Sequence, residues 1–175
     1  MFSNKKLKNF FNNLLLPIII AFLLVVIINK FLLYKIEVPS SSMSPTVGIG
    51  NKLFVTKVYN TSNIKRGDIL VFKSDELHKL LLKRVIGLPG DNVEIKKDGA
   101  VYVNGEKIKE DYVKYPGGKT DMSFNVPEGK FLMLGDNRAN SDDARYWTNP
   151  YIDSKDIDAK AQIIIYPFNR IGFVK

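Results

Sequence analysis

The sequence predicts a mainly β domain carried on one N-terminal transmembrane helix. Three observations point there. Asn9 to Asn29 is a run of 21 residues without a charge, and within it Leu14–Ile28 is unbroken apolar sequence. Past residue 35, short runs rich in Val, Ile, Leu, Phe and Tyr are separated by turn residues. No segment there keeps a helical period over several turns.

The apolar run comes first. A helix of about 20 residues crosses the hydrocarbon layer of a membrane. Pro17 lies near its start, where a missing N–H matters least. Lys5, Lys6 and Lys8 precede it, so the positive-inside bias makes 1–8 a cytoplasmic N-terminus, 9–34 the anchor and 35–175 an extracytoplasmic domain. Lys30 and Lys35 oppose that bias, but their long stems can snorkel to the outer interface. A cleaved signal peptide would need a small-x-small site soon after its apolar centre. Phe31-Leu32-Leu33 and Ile36-Glu37-Val38-Pro39 follow instead, which favours a retained anchor.

Candidate strands follow at Lys52–Val58, Ile69–Phe72, Leu80–Leu88, Val93–Ile95, Ala100–Val103, Phe131–Leu134 and Gln162–Tyr166. Asp98-Gly99 and Asn104-Gly105 are tight-turn dipeptides, so Val93–Ile108 reads as a β-ribbon of successive hairpins. Tyr112–Gly129, with Pro116-Gly117-Gly118 and Pro127, reads as a long irregular connection whose order and any gating role stay open.

Composition narrows the chemistry. The length of 175 residues holds one compact domain plus an anchor. Without cysteine there is no disulfide framework, no Cys-ligated zinc and no thiol nucleophile. His78 is the only histidine, which argues against a His-based metal site. The net charge of +8 is uneven: residues 1–35 carry five lysines and no acid, whereas the remainder has 21 basic and 18 acidic side chains. The excess belongs to the membrane flank, not to a nucleic-acid-binding face.

Few nucleophile arrangements survive. A Ser-His-Asp triad would need His78, which sits in the charged turn Ser74-Asp75-Glu76-Leu77-His78-Lys79. The Ser-x-x-Lys spacing at Ser62–Lys65 lacks the helix which that arrangement requires, and Ser3–Lys6 lies on the cytoplasmic side. Ser42 stands in Pro39-Ser40-Ser41-Ser42-Met43-Ser44-Pro45-Thr46, where the two prolines restrain Val38 and Ser44 toward extended backbone. Such a segment can hold a hydroxyl beside a fixed N–H, as an oxyanion hole requires. Taken alone, it reads equally as a serine-rich linker leaving the membrane.

Lys83 supplies a base. In a strand it shares a face with Leu81 and Val85, and apolar surroundings penalise the charged ammonium. An ordinary lysine, with a pKa of about 10.4, is neutral in only about 0.04% of molecules at pH 7. Lowered to about 8 it is neutral in roughly 10%, a gain of some 200-fold for about 3 kcal/mol of folding free energy. A lone strand lysine is otherwise simply an exposed lysine.

Together these motifs resemble the type I signal peptidases, membrane-anchored Ser–Lys endopeptidases. After the anchor come Pro39–Thr46, then Arg66-Gly67-Asp68-Ile69-Leu70-Val71-Phe72 and Lys83-Arg84-Val85-Ile86-Gly87-Leu88-Pro89-Gly90-Asp91. Gly135-Asp136-Asn137-Arg138-Ala139-Asn140-Ser141-Asp142-Asp143-Ala144-Arg145 and Tyr166-Pro167-Phe168-Asn169-Arg170-Ile171-Gly172 complete the series. Ala139 and Ala144 depart from the family's usual Asp and Ser. The short Gly90–Gly135 interval matches the compact, Gram-positive-like form.

The resemblance implies a signal-peptidase/LexA-like β fold with a β-ribbon. It implies Ser42 as nucleophile, Lys83 as general base, and the Ser40 hydroxyl with the Ser42 N–H as oxyanion hole. Ser141 would orient the lysine amine, and Asp143 and Arg145, with Asp136 beside them, would brace the site. A hydroxyl fixes an amine without restoring its charge, whereas a nearby carboxylate raises its pKa. Asp142 and Asp143 should therefore be turned away, or neutralised by Arg145 or Arg138. This acidic loop lacks the glycine and terminal glutamate of a calcium loop, and no metal is expected.

An extended substrate would lie along Val38–Ser42 and Leu81–Lys83, with Val38, Pro39 and Leu82 in contact. The implied activity is removal of signal peptides from exported preproteins after small-x-small sites, at the outer face of the cell membrane. The partners are preproteins and lipid, not nucleic acid; no cofactor is implied, and the oligomeric state is left open. The alternative is a non-catalytic, peptidase-like factor that holds extended peptides in pilus or surface-protein assembly. A self-cleaving repressor would need a helix-turn-helix where residues 1–35 hold only the anchor.

Overall fold

In the computed structural model, residues 10–117 and 121–174 are described. The expected cytoplasmic segment 1–8 lies outside them. Met1–Tyr34 and Lys35–Lys175 are two compact units. In the first, a π-helical turn, Phe11–Leu15, runs into helix α1, Leu16–Phe31. Pro17 has no N–H to close an α-turn and its ring crowds the carbonyl four residues back, which accounts for the widened turn before it. The apolar side chains from Phe10 to Ile28 are exposed, and Phe11–Ile28 is long and apolar enough to cross a membrane. The helix stops at Phe31. Leu33 and Tyr34, expected in the anchor, instead open strand β1, Leu33–Glu37.

The second unit is built of strands β2 (Lys52–Lys57), β3 (Ile69–Ser74), β4 (Lys79–Gly87), β5 (Asn92–Ile95), β6 (Val101–Val103), β7 (Glu106–Lys107) and β8 (Met122–Asn125). β9 (Lys130–Leu134), β10 (Tyr151–Asp153), β11 (Ile157–Tyr166) and β12 (Gly172–Phe173) complete it. The larger sheet runs β1-β2-β11-β3-β4-β9-β10, with β12 added on β11, and the smaller one runs β7-β6-β5-β8. The mainly β expectation holds.

β3 reads Ile-Leu-Val-Phe because it is buried on both faces: Leu70 and Phe72 are fully buried and Ile69 and Val71 nearly so. Leu70, Phe72, Val85, Leu132 and Leu134 centre the core, with Trp147 edge-on to Phe72 at 6.2 Å. Each such side chain contributes about 1.5–3 kcal/mol relative to exposure. The ribbon turns where expected: Asn104 and Gly105 have φ of 52° and 84°, the double left-handed pair of a type I′ hairpin.

One expectation is corrected. Tyr112–Gly129 is not irregular throughout, since β8 lies within it and pairs with β5, Phe124 opposite Val93. Four residues of alternating exposure between two proline-containing stretches are too short a pattern to stand out. β11 is also twice its expected length, because buried Ile157, Ala159 and Ala161 alternate with Asp158 and Lys160.

Candidate active site

The stretch Ser40–Thr46 is a tight turn in which Ser44 N–H donates to Ser41 O at 3.0 Å and Val47 N–H to Met43 O at 2.8 Å. Met43 is fully buried and anchors it. Four groups grip its backbone and flank. Asn137 donates its N–H to Ser42 O at 3.0 Å and its Nδ2 to Ser41 O at 3.1 Å. Thr46 Oγ1 donates to Asp136 Oδ2 at 2.5 Å. Arg170 Nη2 donates to Pro45 O at 2.6 Å and Thr46 O at 3.0 Å. The Ser42 hydroxyl lies 3.2 Å from that of Ser40.

β4 places two cations on opposite faces and treats them differently. Arg84 is neutralised: its Nε and Nη2 donate to the two oxygens of fully buried Asp136 at 2.8 and 2.6 Å, and Tyr112 covers its guanidinium at 3.9 Å. Lys83 is 3% exposed and its Nζ donates to Ser141 Oγ at 3.0 Å. Burial pulls its pKa from 10.5 down to about 8; Asp143 and Asp142 oppose the shift, Arg145 and Lys79 reinforce it. Desolvation therefore wins over two nearby carboxylates.

Asp143 is neutralised as the charge argument requires, but Asp142 is neither turned away nor neutralised: it lines the groove and still raises the pKa of Lys83. Asp143 accepts from Arg145 Nε at 2.8 Å, Arg145 Nη2 at 2.9 Å and Gly135 N–H at 2.9 Å. Asp142 accepts from Trp147 Nε1 at 3.0 Å. Arg138 neutralises neither, because Glu110 takes its guanidinium at 2.5 and 3.0 Å. Asp136 joins the serine turn to Arg84 and does not pair with Arg145.

Gly135 sits where these parts meet. A Cβ there would fall on Ser141 Oγ and lie 2.6 Å from both Ser141 Cβ and Ser42 O. Only glycine lets the serine turn and the lysine's partner approach so closely. Gly135, Asn137, Arg84 and Arg170 are site residues that reading for chemistry overlooked. Asn137, Arg84 and Arg170 reach the site by backbone contacts or ion pairs that only the fold discloses.

Ser42 and Lys83 line one groove of about 420 Å³. Ile36–Ser40 forms one wall, Lys79–Lys83 the other, and Val71 faces it between them. Val38, Pro39 and Leu82 are in the lining, as is Asp142. β9 pairs with β4 only from Arg84 onward, opposite Leu134, so it leaves Lys79–Lys83 uncovered on that side. Ser42 and Lys83 are not hydrogen-bonded to each other: the first is engaged with Ser40 and the second with Ser141.

Residues 11–166 match the family model described as signal peptidase, peptidase S26. The chain is 40% identical to a signal peptidase I of Bacillus licheniformis, over 88% of each chain. It is 36% identical to signal peptidase I T of Bacillus subtilis, over 90% of this chain and 86% of the other. It resembles the crystal structure of a signal peptidase I from Enterococcus faecalis with a TM-score of 0.50 and 32% identity, over 56% of this chain and 96% of that one. With a buried lysine and a clamped serine turn on such a sheet, the chain belongs to the signal peptidase family, peptidase S26, as an enzyme of the signal peptidase I kind.

Proposed function

We propose that the protein removes signal peptides from exported preproteins by Ser–Lys acyl-enzyme chemistry at the outer face of the cell membrane, after small-x-small sequences. The observation that carries this reading is Lys83: a buried amine held by a hydroxyl, with no ion pair among the described residues, in the groove that also holds Ser42. A substrate strand lies between Ile36–Ser40 and the uncovered edge of β4, through main-chain hydrogen bonds and small apolar pockets. Val38, Pro39 and Leu82 contact it.

The Ser42 Oγ attacks the scissile carbonyl while neutral Lys83 takes its proton, the two coming into hydrogen-bond contact in the substrate complex. The Ser42 N–H and the Ser40 hydroxyl stabilise the oxyanion. Collapse breaks the C–N bond, and Lys83 returns the proton to the departing amine. Lys83 then deprotonates the water that attacks the Ser42 ester, and it passes that proton to the Ser42 oxygen as the C–O bond breaks, which restores the hydroxyl and the neutral amine. Ser141 orients the amine, and the Asp143–Arg145 pair holds the loop that carries Ser141.

The test is cleavage of a preprotein by the full-length chain in detergent. Wild type should cut after a small-x-small site, while Ser42→Ala and Lys83→Arg should not, since a guanidinium cannot act as base near neutral pH. Ser40→Ala should lose about 10²-fold or more in kcat, as when one oxyanion donor is removed. Equal, intact substrate with wild type and Ser42→Ala would turn the reading toward a peptide-holding assembly factor. Protease access to tags at both termini in intact cells tests the orientation, with an N-terminus reached from outside counting against it.

A further inference from the structure

Two buried arginines reach the two arms of the site. Arg84 serves the serine turn: it pairs with Asp136, and Asp136 accepts from Thr46 Oγ1. Arg138 serves the loop that carries Ser141: its Nε donates to Gly135 O at 3.0 Å, and its own carbonyl accepts from Arg145 Nη2 at 2.9 Å. Asn137 joins turn and loop directly. A second joint lies in the segment 110–117, which follows β7.

That segment opens with a turn, Val113 N–H donating to Glu110 O at 3.0 Å, and the side chains of Glu110 and Tyr112 meet across it. Glu110 takes both Nη atoms of Arg138, at 3.0 and 2.5 Å, while the Tyr112 ring covers Arg84 at 3.9 Å. The Tyr112 hydroxyl donates to Glu110 Oε1 at 2.6 Å, so one hydrogen bond links the holders of the two arginines. Burial, reinforced by the Glu110 charge, raises the pKa of that hydroxyl, which keeps it a donor at working pH. The segment is seated on the loop as well. Ala139 N–H donates to Tyr115 O at 3.1 Å, and a Cβ on Gly117 would fall on Arg138 O. A carboxylate gripped by both donors of one guanidinium is fixed in plane as well as in place, and that orientation passes through Tyr112 to Arg84.

We propose that Glu110 and Tyr112 are positioning residues: by holding one arginine each and bonding to one another, they fix the Ser141 loop against the Ser42 turn and so set the approach of the Lys83 amine to the Ser42 hydroxyl. This rests on the hydrolase reading above. Neither residue lines the groove, so both act on the reacting groups and not on substrate contact.

The experiment follows preprotein cleavage by the full-length enzyme in nonionic detergent, at a temperature well below every variant's Tm. Tyr112→Phe keeps the ring over Arg84 and removes only the hydroxyl; kcat should fall by about 5- to 10-fold. Glu110→Gln loosens Arg138 as well, and kcat should fall by up to about 10²-fold, the loss that goes with a displacement near 1 Å. KM should stay within about twofold of wild type in both, because the groove walls are untouched. The double variant should be about as slow as Glu110→Gln alone, since either change breaks the same joint. A Tyr112→Phe enzyme with kcat within about twofold of wild type, a loss carried by KM instead of kcat, or losses that multiply in the double variant would overturn the inference and leave the hydrolase reading standing. If Glu110→Gln does not fold, Tyr112→Phe decides alone. A folded wild type that leaves the preprotein uncut would overturn both.

Discussion

Replacing Lys83 by methionine should stabilise the fold at neutral pH and lose that advantage in alkali. The amine is 3% exposed and burial lowers its pKa from 10.5 to about 8. A depressed folded-state value means that the unfolded chain binds more protons between about pH 8 and 10.5, so wild-type stability rises across that window. Below about pH 8 the amine is charged in both states, and the folded state carries the whole penalty, roughly 3 kcal/mol at 1.36 kcal/mol per pH unit. Above about 10.5 the penalty is gone. Methionine also removes the bond to Ser141 Oγ and leaves that hydroxyl short of a partner, which offsets about 1–2 kcal/mol at every pH. The net expectation at pH 7 is a variant more stable by about 1–2 kcal/mol, or about 2–8 °C in Tm. Thermal unfolding of wild type and variant in one detergent, from pH 6 to 11, measures the difference. A difference that stays flat with pH, or grows as pH rises, would refute the reasoning, because shape effects alone carry no dependence on protons.

The same amine sets a rate profile: kcat/KM should rise about tenfold per pH unit up to a break near 8 and then level off. A break near 10 would mean that the working amine is not shielded from water. Gly135→Ala must push Ser141 or the Ser42 carbonyl aside, since both lie 2.6 Å from the added Cβ. Overpacking of this kind costs about 1–3 kcal/mol, and a displacement near 1 Å at the reacting groups lowers kcat by about 10²-fold, so a variant with wild-type Tm and kcat would count against the packing described here.

Much of this was legible from residues in a row. Asn9–Asn29 declared a membrane-length helix by its uncharged run, and Asn104-Gly105 declared a hairpin, because each signal is contiguous in the chain. Ser42 and Lys83 stood out through local context: prolines about the one, apolar strand neighbours beside the other. What stayed hidden was relational. Whether Arg138 would face Asp143 or Glu110 depends on how 110–117 folds across the loop at 135–145, and no spacing rule encodes that. Asn137 acts through the carbonyls of Ser41 and Ser42, atoms that every residue owns, so its type carried no hint of the role. β8 was missed because four residues give too little pattern, although Phe124 pairs with Val93.

The contact from Arg170 to the carbonyls of Pro45 and Thr46 spans 125 and 124 residues of chain. The turn bearing Ser42 is therefore latched by a segment remote from it in the chain, and that side of the turn is closed only once the two distant stretches have folded against each other.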